Sequence, residues 1–407
     1  MSETCVILGA GHAGAQLVAS LRRHGWTGEI ILVGEEARLP YHRPPLSKQY
    51  LTGDKATDEI LIRPAAAYEK LSVQLKLGAR AESIDRARRT VTLANGEALR
   101  YDKLALAVGS RPRRIPLPGS NREGVYYLRD LGDVDRIRSH VGPQKRAVII
   151  GGGYIGLEAA ASLRSKGTAV TVLEALPRVM QRVTTPKVSG FYSRAHAEQG
   201  VALVLDACVE GIDGGGGTHA VACASGPVHT ADLVIIAVGI VPNTELAQAA
   251  GLSVSDGIVV DELARTSDPD IVAAGDCTLH HNAIYGRDVR LESVQNAHEQ
   301  ASVAAATLCG KNEPYRALPW FWSDQYDLKL QIAGLSLGHD EVVIRGDIER
   351  GRSFAAFYFK DGRMLAVDAI NRPQEFMFGK KVITGGIVVD RSRLTDEGTA
   401  LKDLIGS

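Results

Sequence analysis

A glycine pattern that occurs twice constrains this chain more than any other feature. Thr4 to Leu8 is a short apolar, β-branched run that passes directly into Gly9-Ala10-Gly11-His12-Ala13-Gly14, and then into Ala15 to Leu21, rich in helix formers. The order is strand, turn, helix. In such a unit the first glycine permits the tight turn, the second lets backbone approach a pyrophosphate, and the third lets helix pack closely on strand. The helix N-terminus then faces the anion. A second apolar run, Ile30 to Val33, ends at Glu35, where a carboxylate can accept hydrogen bonds from a ribose. At Ala147 the pattern begins again: Ala147 to Ile150, then Gly151-Gly152-Gly153-Tyr154-Ile155-Gly156, then helical Ala159 to Lys166, then Ala169 to Leu173 ending at Glu174. One glycine fingerprint alone is compatible with a plain structural turn. Two complete units predict an α/β chain with two Rossmann-like dinucleotide-binding domains and two nucleotide cofactors. Glu174 bears on the second of these, because a carboxylate there accepts from a free 2′-hydroxyl and repels a 2′-phosphate. NADH is therefore expected over NADPH, with Arg178 as the one nearby cation that opposes this.

At 407 residues the chain is long enough for two or three domains. Its 47 basic and 47 acidic residues balance, which argues against a nucleic-acid binder or a surface that adheres as a whole to anionic membranes. Five cysteines stand far apart with no Cys-x-x-Cys and no zinc-like Cys/His spacing, so no metal site is expected. They read as small buried apolar residues in a reducing compartment. No apolar run approaches the ~20 residues that span a bilayer, the first strand begins almost at Met1, and a cytoplasmic protein is expected.

Between the acid and the next helix, Pro40-Tyr41-His42-Arg43-Pro44-Pro45-Leu46-Ser47-Lys48 is stiffened by three prolines. It can place Arg43 and Lys48 on a phosphate or a flavin ring, or be a surface loop with solvated cations. Val73 to Leu77 and Arg89 to Leu93 read as strands, Asn95-Gly96 as a hairpin turn, and Lys103 to Val108 as a strand closing on Gly109. The Arg111-Pro112-Arg113-Arg114 cluster reads as a solvated linker. Glu158 is either an acid favoured by the helix dipole or a direct nicotinamide contact. Asp213 to Gly217 lies between strand-like runs (Ala202 to Val209, His219 to Cys223) with no helix following, so it is a hairpin tip and cradles no phosphate. Ile271 to Ala274 closes on Gly275-Asp276 ahead of a helix from Val294 to Leu308. From Pro319 composition changes, with Trp320-Phe321-Trp322 followed by alternating runs that predict an antiparallel α+β domain.

With these pieces placed, the chain resembles, over nearly all its length, the FAD-dependent NADH:ferredoxin reductases of bacterial cytochrome P450 and ring-hydroxylating dioxygenase systems, of putidaredoxin-reductase type. The motifs that carry the resemblance are Gly9-x-Gly11-x-x-Gly14 with Glu35, the Pro40 to Lys48 segment, Gly151-x-Gly153-x-x-Gly156-x-Glu158, Thr266-Ser267-x-Pro269 through Gly275-Asp276, and Trp320 to Asp324. The resemblance implies noncovalent FAD in a discontinuous first domain (1–111 and 242–318), NADH in a second (112–241), and a C-terminal domain (319–407) that helps form the face meeting a [2Fe-2S] ferredoxin. It implies Ala13, Glu35, Lys48, Ala81, Arg129, Asp276 and Val294 as FAD contacts, with Lys48 near the flavin's reactive edge, Glu158 as its partner and Trp322 near the ring. Ile155 joins the second cradle. Arg63, Lys329, Lys380 and Lys381 are candidates for steering an acidic partner.

Three other readings compete. A disulfide reductase of the same broad fold needs a cysteine near the flavin, and Glu35 to Lys48 contains none. An apoptosis-inducing-factor-like NADH-sensing switch shares the proline and Phe-Trp-Ser-Asp segments, but calls for a targeting segment and a basic surface. A rubredoxin reductase is closer in kind.

Overall fold

The Thr4–Leu8 strand is the middle of a five-stranded parallel sheet ordered Ile271–Ala273, Lys103–Leu106, Thr4–Leu8, Glu29–Gly34, Val73–Leu77. The computed structural model describes residues 3–215 and 217–405. Parallel strands covered on both faces read as unbroken apolar runs, and Cys5, Val6, Ile7 and Leu8 are all buried. One face carries the helices His12–His24 and Val294–Leu308, joined through Leu17, Leu21, Ala301 and Ala305. The small residues of the second helix let the two approach closely. The other face is covered by Ile84, Val91 and Leu99 from a three-stranded antiparallel sheet, Ala81–Asp85, Thr90–Leu93, Ala98–Arg100.

This sheet belongs to the first of two compact units, made of Met1–His42, Thr57–Arg111 and Ile240–Pro319. The second comprises Arg43–Ala56, Pro112–Gly239 and Trp320–Ser407. It repeats the plan: a parallel sheet ordered Ala202–Val204, Ala169–Leu173, Arg146–Ile150, Leu233–Ile236, Val125–Tyr127, the helix Tyr154–Ser165, and an antiparallel sheet Val209–Gly215, Thr218–Cys223, His229–Ala231. It also carries a five-stranded antiparallel sheet ordered Trp320–Gln325, Leu328–Gly334, Arg363–Ile370, Phe354–Lys360, Glu341–Gly346, with the helix Pro373–Gly385 beside it. The fold is α/β with two Rossmann-like sheets and an antiparallel C-terminal part. Among the described residues no helix is long and apolar enough to cross a membrane.

Two expectations need correction and one holds. The run Ala202 to Val209 is two strands rather than one, because Asp206 adopts φ +54° and turns the chain. The following glycine-rich stretch is the expected hairpin, with Gly215 paired to Thr218; Gly216 lies outside the described residues. The cysteines are not uniformly buried: Cys5 and Cys277 are, but Cys208 is exposed just after the Asp206 bend, and Cys223 and Cys309 are half-buried, the latter capping its helix. All are free thiols.

The two glycine turns are near copies. Gly9 and Gly151 both take φ +111°, and a Cβ on either would stand 2.1 Å from the Ala107 carbonyl oxygen or 2.4 Å from that of Ala237. A Cβ on Gly14 would lie 1.9 Å from the Gly9 oxygen, and one on Gly156 2.1 Å from the Gly151 oxygen. Gly11 and Gly153, by contrast, would meet nothing within 4 Å. Backbone packing thus excludes side chains at the outer positions, while the middle one faces open space. We expect Gly14→Ala and Gly156→Ala each to cost about 1–3 kcal/mol through overpacking, despite alanine's better helix propensity. Gly11→Ala and Gly153→Ala are expected to stay within about 0.5 kcal/mol of the parent. Chemical unfolding of the apoprotein followed by circular dichroism separates the two classes.

Candidate functional site

Both cradles present bare backbone donors. The helices starting at His12 and Tyr154 have Gly11 and Gly153 as N-caps in extended conformation, with no side-chain cap and no acid in the first turn. Their first N–H groups therefore keep their hydrogen-bonding capacity and the positive end of the helix dipole, which suits a pyrophosphate. The open middle glycine leaves room for one. On these observations the residues present fit the phosphates of two dinucleotides.

Around the first cradle the structure gathers residues from the end of the unit. A Cβ at Gly275 would lie 3.3 Å from the Ala13 Cβ, so Gly275 and Asp276 stand against the start of the first helix. The Gly275 N–H donates to Gln300 Oε1 at 2.8 Å, and Ser110 Oγ donates to Asp276 Oδ2 at 2.8 Å. Val294 opens its helix half-buried, behind the Ser293 cap. Ala81, at the start of its strand, packs on the core beneath the sheet. Glu35 projects outward: its side chain is 71% exposed, with Arg80 Nη1 3.5 Å away. His12, which its residue type alone does not mark, is buried inside the glycine turn, with its Nε2 3.3 Å from His42 Nδ1. Its position within the glycine pattern was the available clue. Gln300 and Ser110 carry no motif that would have marked them.

The second ribose acid is placed differently. Glu174 Oε2 accepts from the Gly152 N–H at 2.6 Å, and Oε1 from the Leu176 N–H at 2.9 Å, so the carboxylate is locked onto the glycine turn. Arg178 points its guanidinium into its own loop, donating to the Thr184 and Gln181 carbonyls at 2.8 and 2.9 Å and to Ser189 Oγ at 2.7 Å. Those bonds occupy the cation that opposed the NADH reading. Ile155, the second residue of the helix, is 44% exposed despite being apolar.

Within the same second unit lies the most concentrated polar chemistry. Lys48 Nζ donates to Glu158 Oε2 at 2.6 Å, and Ser47 Oγ donates to the same oxygen at 2.6 Å. Ser323 Oγ donates to Oε1 at 2.6 Å. The Glu158 side chain is 2% exposed and that of Lys48 11%. This geometry rules out a solvated loop for Lys48 and shows that Glu158 is a buried, paired acid. The prolines explain the placement: Pro44 and Pro45 open a 3₁₀ turn, Pro44–Ser47, that ends exactly where Lys48 must turn inward. Arg43 donates from Nη1 to the Arg129 carbonyl at 2.8 Å, which brings these two residues together. Along the Trp320–Gln325 strand successive side chains alternate. Phe321, its ring 4.9 Å from that of Tyr154, shares a face with Ser323 toward the Glu158 helix. Trp322 stacks with Trp320 at 5.6 Å on the opposite face and is not joined to the Lys48–Glu158 pair. Ser47 and Ser323 were given no role by the sequence reading. Each adjoins a residue that was singled out, but a serine carries no signal until the fold places it.

Comparison with known proteins shows the family of the chain. Residues 3–301 match the pyridine nucleotide-disulphide oxidoreductase family, and residues 320–405 match the reductase C-terminal family. The chain is 44% identical to putidaredoxin reductase of Pseudomonas putida over 412 residues, covering 100% of this chain and 97% of that one. It is 43% identical to the ferredoxin reductase subunit of a 5,5'-dehydrodivanillate O-demethylase from Sphingobium, covering 98% of both. Among solved structures, the covalent putidaredoxin reductase–putidaredoxin complex superposes with a TM-score of 0.95 at 44% identity, covering 99% of this chain and 98% of that one. With two near-identical dinucleotide cradles and full-length kinship of this order, the chain belongs to the pyridine nucleotide-disulphide oxidoreductase family and carries its reductase-type C-terminal domain.

Proposed function

We propose that this protein is a ferredoxin reductase that takes electrons from NADH through noncovalent FAD and delivers them singly to a [2Fe-2S] ferredoxin supplying a cytochrome P450 or related oxygenase. The observation that carries the proposal is the pair of complete dinucleotide cradles in one chain, set beside relatives that are themselves named as ferredoxin reductases. The domains are read as 1–111 with 242–318 for FAD, 112–241 for NADH, and 319–407 beside the ferredoxin, in a cytoplasmic protein. When bound, FAD supplies the chemistry that side chains lack, accepting a hydride and releasing electrons one at a time.

The chain's own residues bind, orient and balance charge. Gly9, Gly11, Ala13 and Gly14, with Gly275 and Asp276, are assigned to FAD, Glu35 to its adenosine ribose, and Ala81, Arg129, Arg43 and Val294 to its surroundings. Gly151, Gly153, Ile155 and Gly156 are assigned to the NADH pyrophosphate and Glu174 to its ribose. Lys48 supplies the positive charge that balances a reduced flavin, and Glu158 holds that ammonium in place and helps seat the nicotinamide. Trp322 is assigned to the electron-transfer edge. Cysteine chemistry has no part in this scheme: burial pushes the Cys277 thiol, next to Asp276, up to about 12, far from the range of a nucleophilic thiolate.

Cations for steering are available on the second unit. Lys329 and Lys381 are exposed, and Lys380 lies over the Trp320 ring at 5.5 Å. Arg63, in the first unit, is instead occupied by the Ala15 carbonyl at 2.8 Å.

Three measurements test the assignment. NADH-driven reduction of cytochrome c should rise many-fold when a [2Fe-2S] ferredoxin is added, and should fall as ionic strength is raised past the point where the Debye length drops below about 10 Å. Equal turnover at low and high salt sinks steering. Glu158→Ala should slow flavin bleaching by NADH in stopped flow by about 10- to 100-fold; an unchanged rate and NADH affinity removes Glu158 from the site. Glu174→Ala should raise KM for NADH by about tenfold, with little effect on the KM for NADPH, narrowing the preference between them.

A further inference from the structure

Glu158 stands at the end of a longer chain of buried hydrogen bonds than the lysine contact requires. Beyond Ser323, which donates to Glu158 Oε1, Gln325 Nε2 donates to Ser323 Oγ at 3.2 Å. His196 Nε2 lies 2.8 Å from Gln325 Oε1, and the Tyr326 hydroxyl lies 3.1 Å from His196 Nδ1. Ser323, Gln325 and His196 are each no more than 1% exposed. The chain runs from a hairpin tip, through the Pro186–Glu198 helix, to the site.

The direction of every bond follows from the first. A carboxylate only accepts, so the one hydroxyl proton of Ser323 points at Glu158. Ser323 Oγ must then accept from Gln325, which turns that amide's NH₂ toward the serine and its oxygen toward His196. The oxygen needs a donor, so His196 carries its proton on Nε2. Its Nδ1 is left as an acceptor and takes the Tyr326 proton. Burial lowers the His196 proton affinity, so the neutral ring needed for this arrangement is the form present near neutral pH. Tyr326 itself sits at φ +56°, in the left-handed region that a bulky residue rarely adopts, while its ring meets His196 edge-on at 5.1 Å. The hairpin holds a strained residue at the position from which its hydroxyl reaches the histidine.

We propose that Gln325 and His196 are positioning residues for NADH oxidation: with Tyr326 they form a one-way donor chain that makes Ser323 an obligate donor to Glu158, fixing the carboxylate so that it holds Lys48 and receives the nicotinamide. Without Gln325, the serine hydroxyl is free to rotate and Glu158 loses one of its fixed contacts. The inference rests on the assignment of Glu158 to NADH made above, and the test separates the two.

The test is a double-mutant cycle on the FAD-loaded protein, combining Gln325→Met, which keeps the side-chain size and removes both hydrogen bonds, with Glu158→Ala. The readouts are the rate of flavin bleaching by NADH and the dissociation constant for NAD⁺. Gln325→Met should lower the rate by about tenfold when Glu158 is present and by less than about twofold when it is absent. A general packing role predicts the same loss in both backgrounds, and that result overturns the proposal. If Glu158→Ala alone changes neither readout, the assignment of Glu158 fails and this inference with it. A second measurement uses the parent holoprotein alone: ¹⁵N NMR of the histidine rings, with His196 assigned by through-bond correlation to its backbone amide. The Nε2–H tautomer at neutral pH is expected, and an Nδ1–H ring overturns the chain.

Discussion

The buried Glu158 carboxylate sets the terms for the second unit. Removing an ionised group from water costs several kcal/mol unless it is paired and hydrogen-bonded, and this one is satisfied by Lys48, Ser47 and Ser323. Those partners come from positions 110 to 165 residues away in the chain. The proline segment and the aromatic strand must therefore both dock on the Tyr154–Ser165 helix for the charge to be tolerated. Ser162 reinforces the first of these contacts by donating to the Ser47 carbonyl at 2.6 Å. What looks in sequence like a loop, a helix and a distant strand is in the structure one polar cluster inside one unit.

The glycine cradles follow a different logic. They are made of backbone alone, and their shape is enforced by carbonyl oxygens that leave no room for a Cβ. Because the constraint is local, it was written twice in nearly the same words, and the structure repeats it down to the φ of Gly9 and Gly151. The ribose acids show how such copies diverge. Glu35 leans outward beside Arg80, whereas Glu174 is drawn back onto the Gly152 and Leu176 amides. One strand-end carboxylate stands open to solvent; the other is held by its own turn.

These two logics explain what the sequence disclosed. Strand, turn and helix around Gly9 and Gly151 were legible because periodicity and glycine spacing are short-range, and Val73–Leu77, Ala169–Leu173 and Val294–Leu308 fell on their expected bounds for the same reason. Lys48 and Glu158 were marked as candidates by their places near the glycine turns, but their pairing was legible only through motif resemblance. Ser47, Ser323, Gln325 and His196 were not identified at all, since their roles depend on pairings across more than a hundred residues or between a strand and a helix. The break in the Ala202 to Val209 run has a local cause. A single left-handed residue, Asp206, interrupts an apolar stretch that composition alone presents as continuous.

Stability does not account for the cluster. Replacing a buried ion pair by well-packed apolar side chains is often neutral or favourable, and the helix that carries Glu158 is otherwise lined with Leu157, Ala159, Ala160 and Leu163, which would accept such a neighbour. A fold seeking only a core would place another alanine or leucine at position 158. Instead the chain supplies one cation and two hydroxyl groups to hold a charge there, and commits a glutamine, a histidine and a strained tyrosine behind them. Satisfying every donor and acceptor along such a line fixes one arrangement of protons, which an apolar core cannot do. On the role proposed for Glu158, the purpose served is orientation: a reaction that moves a hydride between two rings is sensitive to displacements of about 1 Å, and a carboxylate held by Lys48, Ser47 and Ser323 is a fixed reference from which to set that distance.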